Sequence, residues 1–324
     1  MTEALGARAP VEDQARQCRR PGPRPGSARR AGRGTGARRA HLLGYLLVAP
    51  LVAVMLLVIG FPLVNTVLLS LQDQAVTGSD SSFVGFDTFA TVLADGAFWR
   101  SVGRSGVWLV GNLVLQTVFA LATALLLTRR GVWARTARTW VLLPWVIPTV
   151  AVSVIWQWLL NTNYGVVTKV LGAVGITLEG PFADSSLALA ALIFVNSWHW
   201  FPLGAVVIYG ALGTVPREVI EAARMDGANV LQTFWHVTLP LLQPILFALG
   251  LVGSLWSFNI VDSIYLVTQG GPADATTTAP IYIYDRAFSA FQASQAAVAS
   301  VVTIVLLGIV TAVYLKLARP KEDP

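Results

Sequence analysis

Six long stretches of this chain contain no Asp, Glu, Lys or Arg: Leu42–Leu71, Gly106–Thr128, Thr139–Asn161, Ser186–Leu212, Leu239–Val261 and Ala287–Leu315. Each can cross a hydrocarbon core about 30 Å thick, which takes about 20 helical residues at roughly 1.5 Å rise. Backbone polar groups in lipid must be satisfied within the segment, so runs of this length are read as helices. Composition agrees, because 55% of the residues are hydrophobic and 12% are charged, against about 25% charged in a soluble domain. The first run is far longer than the roughly 7–15 apolar residues of a signal-peptide core, and no small-residue cleavage site is evident. The expected fold is all-α, a polytopic membrane protein with six transmembrane helices over residues 42–318.

The charges between the runs set the orientation, because cytoplasmic loops carry the excess of Lys and Arg. With the N-terminus inside, the inner segments are the arm before Leu42, the Arg129–Arg138 loop, the Gly213–Thr238 loop and the C-terminal tail. They hold 19 of the 23 basic residues, while the outer loops hold only Arg100, Arg104, Lys169 and Arg286. Both termini are therefore expected in the cytoplasm. Trp99, Trp140, Trp158 and Trp235 fall near predicted helix ends, as in an interfacial aromatic belt.

Residues 1–41 are rich in Arg, Pro, Gly and Ala, with 10 of the basic residues and few large apolar ones. Such a segment cannot bury enough surface to offset its ordering entropy and reads as a disordered cytoplasmic arm. Its charge suits topology setting or contact with anionic lipid, and no nucleic-acid partner is expected. The single cysteine, Cys18, lies in this arm and cannot form an internal disulfide.

One inner loop differs from the others. From Thr214 it reads TVPREVIEAARMDGAN. Pro216 suits a helix start, Glu218 and Glu221 suit its first turns, Glu221 and Arg224 stand at ion-pair spacing, and Gly227 can adopt the left-handed conformation that ends a helix. A second short amphipathic run, Val230–Val237, leads into Leu239-Pro240. The expectation is a helix–turn–helix elbow on the cytoplasmic face. Ala222, Ala223, Gly227 and Ala228 permit close approach by another backbone, and the charges offer ion pairs. A solvated loop helix is the competing reading of these residues.

Glu221-Ala222-Ala223, then Gly227 after three residues, then Val237-x-Leu239-Pro240 after nine more, resembles the EAA motif of bacterial binding-protein-dependent ATP-driven importers, with Val237 in place of Ile. Further segments resemble the sugar-type permeases of that superfamily. These are Phe83-Val84-Gly85-Phe86-Asp87 with Phe98-Trp99, Leu143-Pro144-Trp145-x-x-Pro148, and Thr268-x-Gly270-Gly271-Pro272. The similarity covers residues 42–318. The chain departs at Thr168, where Asn is usual, at Ala293-Ser294, where Gly is common, and in lacking the extra helices and external domain of the larger maltose subunit. The resemblance implies that the 213–238 loop holds the coupling helix, which seats on an ATPase subunit through Glu221, Ala222, Ala223, Arg224, Asp226 and Gly227. It also implies partners: a second homologous permease, an ATPase dimer, an extracytoplasmic solute-binding protein and a sugar substrate, at a bacterial cytoplasmic membrane.

No GxxxxGK[ST] loop occurs, and none of the lysines, Lys169, Lys316 and Lys321, follows a glycine. The chain is expected to bind no cofactor itself, with ATP and Mg handled by the partner ATPase. His41, His199 and His236 fall in separate segments without metal-ligand spacing, so a non-catalytic transport subunit is expected. Polar residues within helices are costly against lipid and are candidates for the substrate path. Asn196, Ser197, Trp198, His199 and Trp200 stand in the fourth helix, and Trp256, Ser257, Asn259 and Asp262 in or beside the fifth. Trp256 and Asn259 lie within one helical turn and combine an aromatic face with a hydrogen-bonding amide, as a neutral sugar requires. Asn259 also matches an asparagine in the family's sugar-contacting segment. Interhelical hydrogen bonding and packing are the alternative roles for these residues. Glycerol phosphate, amino acids or peptides are alternative solutes, although no basic residue stands within a helix to meet an anion. An ion-coupled secondary transporter and a membrane-embedded enzyme are more distant alternatives.

Overall fold

The computed structural model describes residues 35–73, 82–129, 131–176 and 180–318. The arm over residues 1–34 and the tail from residue 319 lie outside the described residues. The backbone is already helical from Thr35, ahead of the expected start at Leu42. The chain divides into two compact units, residues 1–61 and 62–324. The first contains α1 (Thr35–Met55) and the π-helical turn Leu56–Gly60.

The second unit begins within α2 (Phe61–Ser70). A two-stranded antiparallel ribbon follows, β1 (Gln72–Asp73) and β2 (Ser82–Phe83), with Gln72 opposite Phe83. Then come α3 (Asp87–Ala94), α4 (Gly96–Leu127), α5 (Val132–Trp140), α6 (Leu143–Val146), α7 (Thr149–Leu159), α8 (Val166–Ala173) and α9 (Ala188–Leu212). Next are α10 (Arg217–Met225), α11 (Val230–Thr233), α12 (Leu239–Phe258), α13 (Asp262–Thr268), α14 (Ala279–Tyr284) and α15 (Ala293–Ala318).

Among the described residues, five helices are long and apolar enough to cross a membrane: Tyr45–Ser70, Gly96–Leu127, Ala188–Leu212, Val230–Phe258 and Ala293–Leu317. The sixth expected span differs from a straight helix. Arg135–Val146 and Thr149–Leu159 meet at a 98° bend, so the count reaches six only if this broken pair is one span. The cause is Pro148. The residue before a proline is driven out of the helical region, and Ile147 is extended at φ −69°, ψ 130°. A carbonyl at such a break has lost its helical partner. The buried His199 ring supplies one, its Nε2–H donating to the Ile147 carbonyl at 3.0 Å, whereas its Nδ1 has no partner.

The centre of the second unit is the α4–α9 pair. Lipid gives little hydrophobic drive to helix association, so packing relies on small residues that let backbones approach. Ala120 and Ala124 of α4 meet Ala205, Ile208 and Ala211 of α9, with Leu242 of α12 completing the cluster. A Cβ on Gly204 would stand 3.1 Å from the Ala120 methyl, and one on Gly111 would stand 2.8 Å from Ile193 Cδ1. The α12–α15 approach is equally close. The Tyr314 hydroxyl donates to the Phe247 carbonyl at 2.9 Å and would lie 2.5 Å from a Cβ on Gly250. Around this centre, Trp108, Leu192, Ile193, Ile264 and Ile281 join α4, α9, α13 and α14, and Val152 and Trp156 of α7, with Leu160 just after it, pack on Val195 of α9.

The end of α4 away from the elbow is clasped. Asp95 caps α4 by accepting from Ala97 N–H at 2.8 Å. The same carboxylate accepts from the Tyr282 hydroxyl at 2.8 Å and the Arg286 guanidinium at 2.9 Å. Burial pushes the Asp95 carboxyl up, but the Ala97 and Tyr282 hydrogen bonds and the Arg286 charge outweigh it and hold it below the usual 3.8. Burial, then the bond to Asp95, pushes the Tyr282 phenol up to about 12.

Candidate functional site

The elbow begins with a short helix bounded by defined stops. Pro216 is extended at φ −60°, ψ 131° and hands over to α10. Gly227 ends it at φ +84°, a region that costs a non-glycine residue about 1–3 kcal/mol. Gly227 N–H donates to Arg224 O and Ala228 N–H to Ala223 O, both at 3.0 Å. This paired pattern satisfies carbonyls that a helix C-terminus leaves orphaned. The next helix starts two residues later with a reciprocal cap. Asn229 Oδ1 accepts from Gln232 N–H, and Gln232 Oε1 accepts from Asn229 N–H, both at 2.9 Å. The N-x-x-Q spacing was a readable signal for this cap.

The second arm of the elbow is the root of a membrane span. α11 continues through the π-helical turn Phe234–Thr238 into α12, so Val230–Phe258 is one apolar helix. The wider turn brings the chain to Leu239-Pro240 with Leu239 N–H bonded to Phe234 O. In a regular α-helix a proline ring meets the carbonyl four residues back, and a π turn loosens that spacing. α10 and its Gly227 stop are thus separated by only two residues from the start of the Val230–Phe258 helix.

Glu218, Glu221, Ala222, Asp226 and Gly227 are exposed, and Met225 is 88% exposed, while Ile220 and Ala223 are half-buried. The expected Glu221–Arg224 ion pair does not form. Among the described residues the ion pair present joins Arg286 and Asp95. An exposed helix pair contributes only about 0.2–0.5 kcal/mol, and Arg224 lines a groove instead. Arg217, Ile220 and Arg224, spaced by three and four on one side of α10, border that groove together with the inner ends of α4, α9 and α11.

A separate cavity of ≈ 90 Å³ lies between α4, α9 and α12. A water needs only about 10–15 Å³ of such space, so this partly open cavity has room for several waters. Its walls include Gln116, Thr117, Trp200, Phe201, Trp256 and Ser257, and among the described residues no charged one lines it. Trp200 and Trp256 meet edge to face at 5.9 Å, and Trp200 Nε1 is buried without a partner.

Of the helix residues singled out for a path, the cavity gathers Trp200, Trp256 and Ser257 but not the others. Asn196 is buried and donates to Asn112 Oδ1 at 2.6 Å. Trp198 packs against Trp156 at 5.3 Å. Asn259 caps α12, its Nδ2 donating to Leu255 O at 2.8 Å. Asp262 is exposed at the start of α13. Sequence reasoning missed Asn112 and Gln116, which organise the buried side. Asn112 Oδ1 also accepts from Ser197 Oγ at 3.2 Å and Gln116 Nε2 at 3.3 Å, and Asn112 Nδ2 donates to Trp108 O at 2.9 Å. The Trp108 indole N–H reaches across to the Ser257 carbonyl at 2.7 Å, near the end of α12. The i, i+4 spacing of Asn112 and Gln116 within an uncharged run was the available signal.

Known proteins share this chain's sequence and architecture. Residues 116–322 match the model for the binding-protein-dependent transport system inner membrane component. The diacetylchitobiose uptake system permease protein DasB of Streptomyces coelicolor is 33% identical over 95% of this chain and 98% of its own length. The trehalose/maltose transport system permease protein MalF of Thermococcus litoralis is 29% identical over 88% of this chain and 96% of its own length. A bacterial ABC transporter involved in import of the acidic polysaccharide alginate has a chain with the same fold, at a TM-score of 0.73 and 20% identity, covering 88% of this chain and 98% of that one. Residues 116–322 contain the whole elbow and all of the named cavity walls, and this chain belongs to the binding-protein-dependent transport system inner membrane components.

Proposed function

We propose that this chain is the permease subunit of an ATP-driven importer of a neutral sugar or oligosaccharide. Its two termini and the elbow face the cytoplasm. It pairs with a second homologous permease, and an ATPase dimer, which carries ATP and Mg, docks from the cytoplasm. An extracytoplasmic solute-binding protein delivers the sugar. The chain itself performs no catalysis.

The observation that carries the reading is the elbow: an exposed helix, stopped by Gly227 at φ +84° and rooted in the Val230–Phe258 span. The proposed ATPase contact is Glu221, Ala222, Ala223, Arg224, Asp226 and Gly227. Closure of the ATPase dimer would drag α10, and the continuous α11–α12 helix would convert that drag into a rigid-body change of the bundle. The α4–α9–α12 cavity is part of the path, with Trp256 offering a stacking face and Gln116 and Ser257 hydrogen bonds. Its uncharged walls favour a neutral solute over glycerol phosphate. The saccharides named for the relatives from Streptomyces coelicolor and Thermococcus litoralis point the same way.

The test is co-purification of the full chain from its own membranes, wild type against Glu221→Lys and Gly227→Val. The expected result is recovery of an ATPase and a second permease with wild type, and loss of the ATPase alone in both variants. An ATPase retained at wild-type level in both variants would remove the elbow from the docking surface. A wild-type chain recovered without any ATPase would overturn the importer reading.

A further inference from the structure

The groove behind α10 has a chemistry of its own, of which the proposed ATPase contact takes in Arg224 alone. It encloses ≈ 1110 Å³ and is bordered by Arg129 at the end of α4, by Arg217 and Arg224 on α10, and by apolar residues of the α11 helix. Among the described residues no Asp or Glu lines it. Arg129, Arg217, Arg224, Glu218 and Glu221 are all exposed, and of these five the three arginines line the groove while the two glutamates do not. None of the three guanidiniums has an ion-pair partner among the described residues. The groove therefore concentrates positive charge that the protein does not itself neutralise.

Its level and its rim specify the counter-charge. The groove sits where α4 and α9 end, at Leu127 and Leu212, and where the span Val230–Phe258 begins. That is the boundary of the hydrocarbon region, the depth at which headgroups lie. On one side the rim is apolar and open, with Val230 82%, Leu231 66% and Trp235 57% exposed. Tryptophan is enriched at such interfaces. A soluble anion would gain nothing from this rim, whereas a lipid needs both halves of the arrangement: guanidiniums for a phosphate and an apolar edge down which acyl chains can pass.

We infer that this groove binds the headgroup of an anionic phospholipid from the leaflet bordering the elbow. Arg129, Arg217 and Arg224 donate to the phosphodiester and headgroup oxygens, and Val230, Leu231 and Trp235 flank the acyl chains. The lipid seats between α10 and the ends of α4 and α9 and braces the elbow from behind, leaving the exposed Glu221 side free. This site does not depend on what docks there, although it shares Arg224 with the proposed ATPase contact.

The experiment uses the full chain in a neutral detergent, titrated with phosphatidylglycerol or phosphatidylcholine and read by native mass spectrometry of the bound lipid. The test variant is Arg129→Gln/Arg217→Gln, which spares Arg224 and all other proposed ATPase contacts. Each basic residue near a membrane surface contributes about fivefold in affinity for anionic lipid, so roughly a 25-fold weakening of phosphatidylglycerol binding is expected. Phosphatidylcholine should bind weakly to both proteins. Arg104→Gln/Lys169→Gln, which removes the same charge at other positions, should bind phosphatidylglycerol like wild type. Glu221→Lys should also retain the lipid even where it loses the ATPase, so the two readings fail separately. Should the double variant not fold, Arg129→Gln and Arg217→Gln alone are each expected to lose about fivefold. Equal binding of the two lipids by wild type, equal loss in the Arg104/Lys169 variant, or undiminished phosphatidylglycerol binding after removal of Arg129 and Arg217 would each overturn the proposal.

Discussion

Replacing Asn112 by Leu should destabilise the bundle by about 1–2 kcal/mol, and replacing Asn196 as well should return much of that loss. Asn112 Oδ1 is the acceptor for three donors, Asn196 Nδ2 at 2.6 Å, Ser197 Oγ at 3.2 Å and Gln116 Nε2 at 3.3 Å. The three are not equally dependent on it. A serine hydroxyl in a helix can turn to the carbonyl four residues back, and Gln116 already reaches Ser257 Oγ at 3.4 Å. Asn196 has no such alternative, because the residue is 2% exposed and its Oδ1 is already without a partner. Removing Asn112 thus strands one buried amide, at about 1–3 kcal/mol by soluble-protein measure. Interhelical hydrogen bonds in membrane bundles average about 0.6 and reach about 1.7 kcal/mol, which sets the lower half of the range. The assay is a double-mutant cycle in mixed micelles, unfolding Asn112→Leu, Asn196→Leu and the double variant with increasing SDS. Coupling of about 1 kcal/mol is expected, and additivity within about 0.3–0.5 kcal/mol would refute the network. Uptake supplies a second discriminant. An Asn196 that touched solute would raise KM in Asn196→Leu without altering the unfolding curve.

Four further outcomes follow from other parts of the molecule. His199→Phe removes the donor to Ile147 O at the 98° bend and should cost about 1–3 kcal/mol for the stranded carbonyl, seen as a lowered melting temperature in detergent. Gly204→Leu places a side chain where a Cβ alone would meet Ala120 at 3.1 Å, and overpacking of this kind should cost about 1–3 kcal/mol in the same melt, whereas Gly210→Ala, with open space around it, should cost far less. Asp95 has a carboxyl held below its ordinary 3.8, so the stability it contributes is present above that value and lost as pH falls through its lower folded value. Wild type should lose melting temperature as the pH drops below about 4, and Asp95→Asn should begin lower and show a shallower acid dependence. Trp256→Ala should weaken sugar uptake more than Asn259→Ala, because Trp256 lines the cavity and Asn259 does not; the reverse order, measured as uptake kcat/KM, would move the path toward the α12–α13 break.

What the sequence disclosed and what it concealed divide along the range of the interactions. Features written locally were legible. The charge-free runs announced the spans, Gly227 announced the end of α10, and the basic residues grouped the loops at Arg129 and Arg217 that border one groove in the structure. Pro148 was equally visible, but it was read within a span, because composition alone cannot weigh a helix-breaking proline against an apolar run that continues past it. The cost of the break depends on whether the freed carbonyl finds a donor, and here that donor is His199, 52 positions away. The same distance problem hid the division among the polar helix residues. Asn196 and Asn259 are chemically identical, and a hydropathy trace treats them alike. One points into α4 and finds Asn112, 84 positions back, while the other turns to its own helix and caps Leu255. Only the crossing of α4 and α9, fixed by Gly111 and Gly204, decides which amide is consumed by packing. What that packing leaves facing the cavity is Gln116, Ser257 and the Trp200–Trp256 pair. The proposed path would therefore be built from groups the interhelical network has only partly used, and it would tie solute recognition to helix movement: a rotation of α12 that disturbs the Gln116–Ser257 contact would change the cavity wall in the same step.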